Sequence, residues 1–550
     1  MKGEPFVRRG KTLLSGVDPV RRAENAADAA AITARTLYFC PSPLYGYGLE
    51  CFLSRLEEQS PDSAVLCVEA DPELYALSLE NIPSSMTRDN KLHLTNICDS
   101  PGIAAFVRET FGAAAFRRVE TLRLTGGYQL FPELYDALCD TLRREIANDL
   151  GNALTLAKLG RLYIRNLFRN LTLMALEISP QEAKETSMQK ARYSSIGNLS
   201  FGEAPALVLG AGPSLDETLD AIGAPVNRSF KIICVDTCLG ALKDRGIVPD
   251  LVVVLESQHW NLRDFAGCLG WNAPAAVDLS ALPASALVLG GNGYFFFTPW
   301  TNLRVFERLN EAGFLPPSIP PLGSVGLTAV ALARRLTRGK IICSGLDFSF
   351  TQDKYHARGT PGHRSRLKTL TRFRGIGNAA AFASGVFPAL SKSGAPVYSN
   401  PVMKNYRDLF EREFANDPRL FDIENTGLPL GVKTLSMDEA AEILGVRNLL
   451  SQRCRDAGDS APLRLCENSS VPPAFRLFLE NEKRRLTELR NMLSGEIASD
   501  RQRLAVLLYE LDYLWAHFPD YAGRQPDAGD VTFLKRVRVE IDPMLRLLNL

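Results

Sequence analysis

The stretch Leu207-Val-Leu-Gly-Ala-Gly-Pro-Ser-Leu-Asp216 constrains this chain more than any other. An apolar run of strand-forming residues breaks at Gly-Ala-Gly-Pro, and a helical pattern follows at once. Ser214 is a suitable helix N-cap, and Glu217 three residues later completes the pattern of a capping box. Strand, glycine turn and helix in this order put backbone N–H groups and the positive end of a helix dipole at the rim of a sheet. That is a seat for a phosphate.

The surroundings extend the pattern. From Pro205 to about Tyr406, short apolar runs alternate with helical segments. Ala206–Leu209, Lys231–Val235, Leu251–Leu255, Ala286–Leu289 and Lys340–Ser344 are the expected strands. Short, wholly apolar strands between helices imply a mainly parallel, Rossmann-like sheet covered on both faces. The fold class is therefore α/β.

A smaller α/β domain is expected before it. Ala34–Cys40 and Ala64–Ala70 are candidate strands, joined by Pro41-Ser-Pro-Leu-Tyr-Gly-Tyr-Gly48 and a helix, with Glu69 and Asp71 at the second strand's end. The glycine spacing is poor and two prolines sit inside the turn, so this is a degenerate Rossmann-like unit suited to structure or docking. Helical periodicity runs from Pro132 to about Lys190, and the turn-rich Tyr193–Gly202 marks a boundary. Gly458–Pro473 has linker composition, and Phe475–His517 and Val531 onward are helical, as in a hairpin. The expected division is 1–130, 131–200, 201–430 and 431–550: an α/β domain, a helical connector, the catalytic domain, and a linker with C-terminal helices.

Ligands of open α/β sheets bind outside the carboxyl ends of the strands. Polar residues recur there: Gly210, Gly212, Pro213, Ser214 and Leu215 in the opening turn, Asp236 and Thr237 after the next strand, and Glu256 and Gln258 after Gly246-Ile-Val-Pro-Asp250. Gly323 and Ser324 open a later helix, and Ser344-Gly-Leu-Asp347-Phe ends the last strand. Each could be an ordinary cap or surface acid, but independent caps need not all fall at strand ends. Of five histidines, His356 lies in the loop after Asp347, with His363 close behind; a neutral imidazole there is a candidate base. Tyr294, Tyr355 and Tyr398 are unranked candidates for phosphate hydrogen bonds.

In order, Gly-x-Gly-Pro-Ser-Leu, an Asp after the next strand, Gly-Ile-x-Pro-Asp, Gly-Ser-Val opening a helix, and Ser-Gly-Leu-Asp-Phe resemble the central domain of the motility accessory factor (Maf) glycosyltransferases, over about Pro205 to Tyr406. The resemblance implies cytoplasmic transfer of a nonulosonic acid, such as pseudaminic or legionaminic acid, from a CMP-activated donor to Ser and Thr of flagellin, in support of flagellar assembly and motility. The order also resembles bacterial sialyltransferases, which carry Asn in place of Ala211 and near Asp236, and a pterin pyrophosphokinase (MptE-like) family. That family has an Asp-Leu-Asp-Gly cluster where this chain has Leu255-Glu-Ser-Gln258, a single carboxylate that argues against a paired-carboxylate metal site. The sialyltransferases imply His356 as base, with inversion at the anomeric carbon and the CMP phosphate on the N–H groups of Gly212 to Leu215; Asp347, also in the expected catalytic set, organises the loop or binds a sugar hydroxyl rather than abstracting a proton. The alternatives are a pyrophosphokinase and a non-catalytic flagellin-binding assembly factor.

The remaining composition sets bounds. A net charge of +1 predicts no nucleic-acid partner, and no apolar run approaches a membrane span. Met1–Lys11 is basic without an apolar stretch after it, so no secretory signal is expected. The 11 cysteines are scattered, with Cys234 and Cys238 the only close pair, which suits reduced thiols in the cytoplasm. No tightly bound cofactor is expected; the CMP-sugar enters as substrate, and a divalent metal is left open.

Overall fold

A computed structural model of the chain describes residues 6–86, 91–112, 115–175, 193–223, 228–373, 375, 381–446, 473–497, 500–519 and 526–548. Residues 458–472 of the expected linker and 176–192 of the expected connector lie outside them. The chain divides into two units, 1–160 with 498–540, and 161–497 with 541–550. The helix Pro132–Ala175 is 44 residues long.

The first unit holds the hairpin β1 (Phe6–Arg8) and β2 (Lys11–Leu14), and a parallel sheet of β3 (Thr36–Pro41), β4 (Ala64–Val68), β5 (Leu92–Thr95) and β6 (Arg118–Thr121) in the order β5-β4-β3-β6. Alternate residues of β3 and β4 serve opposite faces. Leu37, Phe39, Leu66 and Val68 pack with Ile103, Tyr135 and Leu138, and Tyr38, Val65 and Cys67 with Leu49, Phe52 and Leu56. Both faces are therefore buried. The crevice at the end of β3 is filled by the chain itself. Leu13 and Leu14 of the hairpin pack on Leu44 and Leu74, and Gly126 N–H donates to the Leu13 carbonyl at 2.8 Å. Ser42 and Leu44 hold left-handed backbone, with φ of 51° and 52°. The buried Glu69 accepts from the Ser42 hydroxyl at 2.5 Å.

The second unit is built on nine parallel strands: β7 (Tyr193–Ser195), β8 (Ala206–Leu209), β9 (Lys231–Val235), β10 (Leu251–Val254), β11 (Ala273–Asp278), β12 (Gly290–Phe296), β13 (Ile341–Ser344), β16 (Leu420–Ile423) and β17 (Lys433–Leu435), with the hairpin β14 (Phe387–Leu390) and β15 (Pro396–Ser399) beside the sheet. The order is β17-β16-β13-β8-β9-β10-β11-β12-β7. Successive strands from β8 to β12 step one way, and β13, β16 and β17 step the other. The reversal falls between β8 and β13, the switch point at which doubly wound sheets bind ligands. Every residue of β8, β10 and β13 is buried, which explains their unbroken apolar sequences.

Three expectations are corrected. Ala286–Leu289 is not a strand: Pro283 starts the short helix Pro283–Val288, and β12 begins only at Gly290. Tyr193–Ser195, expected to be a boundary, is the edge strand β7, paired with β12. The C-terminal helical stretch comprises Pro473–Ser494 and Arg501–Glu510, which belong to different units.

Candidate functional site

β8 and β13 run in register, Leu209 beside Ser344, so the glycine turns that follow them meet. Gly210 N–H donates to the Ser344 carbonyl and Gly212 N–H to the Gly345 carbonyl, both at 2.8 Å. Gly345 has φ +70°, a left-handed backbone that favours glycine. A Cβ on Gly212 would stand 2.5 Å from Asp347 Oδ2. These glycines permit the close approach of two loops.

Asp347 is 1% exposed. Its Oδ2 accepts from Ser214 N–H at 2.7 Å, and its Oδ1 accepts from the Ser214 hydroxyl. Ser214 Oγ also accepts from Gly345 N–H at 3.3 Å. Burial pushes the Asp347 carboxyl above the usual carboxylate range, and the two bonds from Ser214 oppose that. Two expectations change. Ser214 forms no capping box with Glu217, because its hydroxyl is committed to Asp347. Both Asp347 oxygens accept from Ser214, so the carboxylate ties one loop to the other. The expected phosphate seat is also largely filled: the N–H groups of Gly212, Ser214 and Leu215 are bonded to Gly345 O, Asp347 Oδ2 and Gly212 O, and Pro213 has none.

The histidine loop docks directly on this turn, with Ala357 N–H donating to the Ala211 carbonyl at 3.1 Å. Its anchor is Asp216, 2% exposed. The Asp216 carboxylate accepts from Arg358 N–H at 3.1 Å and pairs with Lys354 Nζ at 2.6 Å and an Arg245 nitrogen at 3.0 Å. Burial alone would raise the Asp216 carboxyl; Lys354, the Arg358 N–H and Arg245 overcome it and hold the group below the usual range.

Tyr355 rests on Phe350, ring centres 4.5 Å apart, with the Arg366 guanidinium 4.4 Å from its ring centre. Tyr398 flanks the same Phe350 at 6.0 Å, so both tyrosines support the loop, and Tyr294 lies within β12. His356 Nδ1 is 3.3 Å from the Tyr355 carbonyl oxygen. Burial, then the charges of Arg366 and His363, push His356 down to about 4. It is neutral at pH 7, the form that accepts a proton. Burial also lowers His363, the third residue of a helix capped by Thr360.

Gly323 and Ser324 precede the helix Val325–Leu336, and the Ser324 side chain makes no capping bond to it. A Cβ on Gly326 would stand 2.5 Å from Leu346 Cδ2, and one on Gly210 2.6 Å from the same atom. The helix start therefore lies beside the glycine turn.

The remaining named residues form a second group at the ends of β9 and β10. Asp236, 2% exposed, accepts from Thr237 N–H at 2.8 Å and from Asn261 Nδ2 at 2.7 Å. Burial pushes it up to about 6, with neighbouring Asp264 contributing. Glu256 Oε1 accepts from Gln258 N–H at 2.9 Å, and Glu256 in turn helps raise Asp264. Asp264 thus joins the two expected acids, Asp236 and Glu256, as a third. Among the described residues, no His, Cys, Asp or Glu group suited to a metal ion is found. Asp250 stands at the opposite, amino end of β10, paired with Arg228 at 2.6 Å, so Gly-Ile-x-Pro-Asp is a structural motif.

Asp216, Asp264 and a pair of asparagines escaped the sequence reading. Asn166 Nδ2 donates to the Ser257 and Ser280 carbonyls at 3.0 and 3.1 Å, and Asn170 Nδ2 to those of Leu279 and Ala281 at 3.0 and 2.9 Å. Two amides at i and i+4 among Ile164, Leu167, Phe168 and Leu171 were a visible signal: buried amides need partners.

Comparison with known proteins agrees with this architecture. The 6-hydroxymethylpterin diphosphokinase MptE-like family model matches residues 181–353. An uncharacterised protein of Treponema pallidum (strain Nichols) is 30% identical over 542 residues, spanning 96% of this chain and 90% of the relative. A second uncharacterised protein of that organism is 30% identical over 123 residues, 20% of this chain and 31% of the relative. The solved structure of a Maf glycosyltransferase from Magnetospirillum magneticum AMB-1 aligns with TM-score 0.52 at 16% identity, over 100% of this chain and 84% of that one. The chain belongs to the family of the longer-matching treponemal protein. The resemblance read from the sequence holds: an MptE-like domain lies within a chain of Maf glycosyltransferase fold.

Proposed function

We propose that this protein is an inverting glycosyltransferase that moves a nonulosonic acid from a CMP-activated donor to Ser or Thr hydroxyls of flagellin in the cytoplasm, with residues 201–430 as the catalytic domain. The observation that carries this reading is the bond between Ala357 and Ala211, which ties a neutral, half-buried histidine to the switch-point turn. The donor phosphate lies at the outer rim of that turn, facing Ala211, the positive end of the helix at Ser324, and Arg358. Thr237, Glu256 and Gln258 face the rest of the donor. His356 takes the acceptor hydroxyl proton as that oxygen attacks the anomeric carbon. The bond to phosphate breaks, and CMP leaves with the electron pair. His356→Ala should leave CMP binding intact and lower transfer about 100-fold; near-normal turnover removes His356 from the mechanism.

The acids Asp236, Asp264 and Glu256 favour a second reading, in which they serve a diphosphokinase of the kind the MptE-like name describes. ATP-dependent diphosphorylation of a hydroxymethylpterin, with no turnover of any CMP-sugar, would select it.

A further inference from the structure

Beside His356 lies a segment with an uncommon surface. The helix Pro361–Lys368 buries none of its residues. From residue 354 to 373 the chain carries six Lys and Arg and no Asp or Glu, although the whole chain has net charge +1. Lys354, Arg358 and Arg364 are held by Asp216 and Asp244. Lys368 and Arg372 are exposed and have no acidic partner among the described residues. Three apolar side chains spaced by three stand among them: Leu367 and Leu370, 45% and 41% exposed, and Phe373, 94% exposed. Apolar side chains exposed together and rimmed by one sign of charge mark an interaction surface.

We infer that this surface docks the protein acceptor of the proposed transfer: an acidic polypeptide segment whose own apolar side chains cover Leu367, Leu370 and Phe373. The inference rests on the transferase reading for its location. A macromolecular acceptor must bring its hydroxyl to His356, and a Cβ on Gly362 of this helix would stand 2.9 Å from His356 Cδ2. The charge selects an acidic partner. Two aliphatic leucines favour protein over nucleic acid, which binds such grooves through stacked aromatics.

The test is the double variant Lys368→Glu/Arg372→Glu, with Leu370→Ser as a charge-neutral second variant. Flagellin monomers are the binding probe by calorimetry, and CMP alone is the control. All three changes fall on exposed side chains, so the fold is retained. The wild type should bind flagellin in a salt-sensitive manner, and each variant should weaken that binding about tenfold or more while CMP binding stays constant. Absent flagellin binding, or binding equal in wild type and variants, overturns the inference. So does variant-sensitive binding of anionic phosphatidylserine vesicles or single-stranded DNA in place of flagellin. If the wild type binds neither CMP nor CMP-sugar, the transferase reading fails; the flagellin measurement stands apart from that result.

Discussion

Asp216→Asn is the sharpest perturbation of the loop that carries His356. The wild-type carboxylate is 2% exposed and holds Lys354, Arg245 and the Arg358 N–H together. The amide keeps the shape but removes the charge, leaving two cations facing a neutral group. Breaking a buried ion pair in this way costs about 3–5 kcal/mol. The Lys354 and Arg245 side chains remain 26% and 19% exposed, so water recovers part of the loss and about 2–3 kcal/mol is expected. In a unit of this size thermal unfolding should then shift down by about 3–4 °C. The catalytic effect should exceed the structural one, because a loop displaced by about 1 Å can lower turnover about 100-fold. Calorimetric unfolding, CMP binding and sugar transfer are measured on the same preparation. Asp220→Asn is the control: it also pairs with Arg245, at 2.8 Å, but is 59% exposed, and should cost under about 1 kcal/mol. If Asp216→Asn matches Asp220→Asn in both stability and turnover, Asp216 does not anchor the loop.

Gly212→Ala forces a Cβ to 2.5 Å from a buried Asp347 oxygen; it should destabilise by about 1–3 kcal/mol or more, read by denaturant unfolding. Gly151→Ala adds its methyl where nothing lies within 4 Å, inside the long helix, and should stabilise by about 0.5–1 kcal/mol. His356, near 4 when folded and about 6.5 when unfolded, takes up its proton first in the unfolded chain. Its contribution is therefore lost as pH falls from about 6.5 to 4, by up to about 3 kcal/mol. Asp236, raised to about 6, acts with the opposite sign over much of that window. The difference in stability between wild type and His356→Gln isolates the histidine, and a pH-independent difference would refute the burial argument.

The sheet's middle was legible because β8, β9, β10 and β13 are buried on both faces and read as plain apolar runs between turns. Its margins were not. β7 is Tyr-Ser-Ser, a polar edge strand defined by its pairing with β12. β12 opens Gly-Gly-Asn-Gly, and β11 carries Pro274 as its second residue; both are strands by tertiary context rather than propensity. In the site, the strand-end positions of Ser214, Asp236 and Asp347 were visible, but not which side chains pair. Ser214 and Asp347 are 133 residues apart, and only the strand order, with β13 returning beside β8, brings them together. Asp216 stands in the first turn of the helix Leu215–Ile222, where an acid is ordinary. Its role depends on Lys354 and Arg358 arriving from beyond the last of those strands.

The central claim, sugar transfer at the switch point between β8 and β13, is tested most directly by mass spectrometry. Purified protein is incubated with CMP-pseudaminic or CMP-legionaminic acid and flagellin. Flagellin should become heavier by whole sugar residues, with CMP released in equal amount, and both should be lost in His356→Ala. Unmodified flagellin with every such donor, alongside ATP-dependent diphosphorylation of a hydroxymethylpterin by the same preparation, would contradict it.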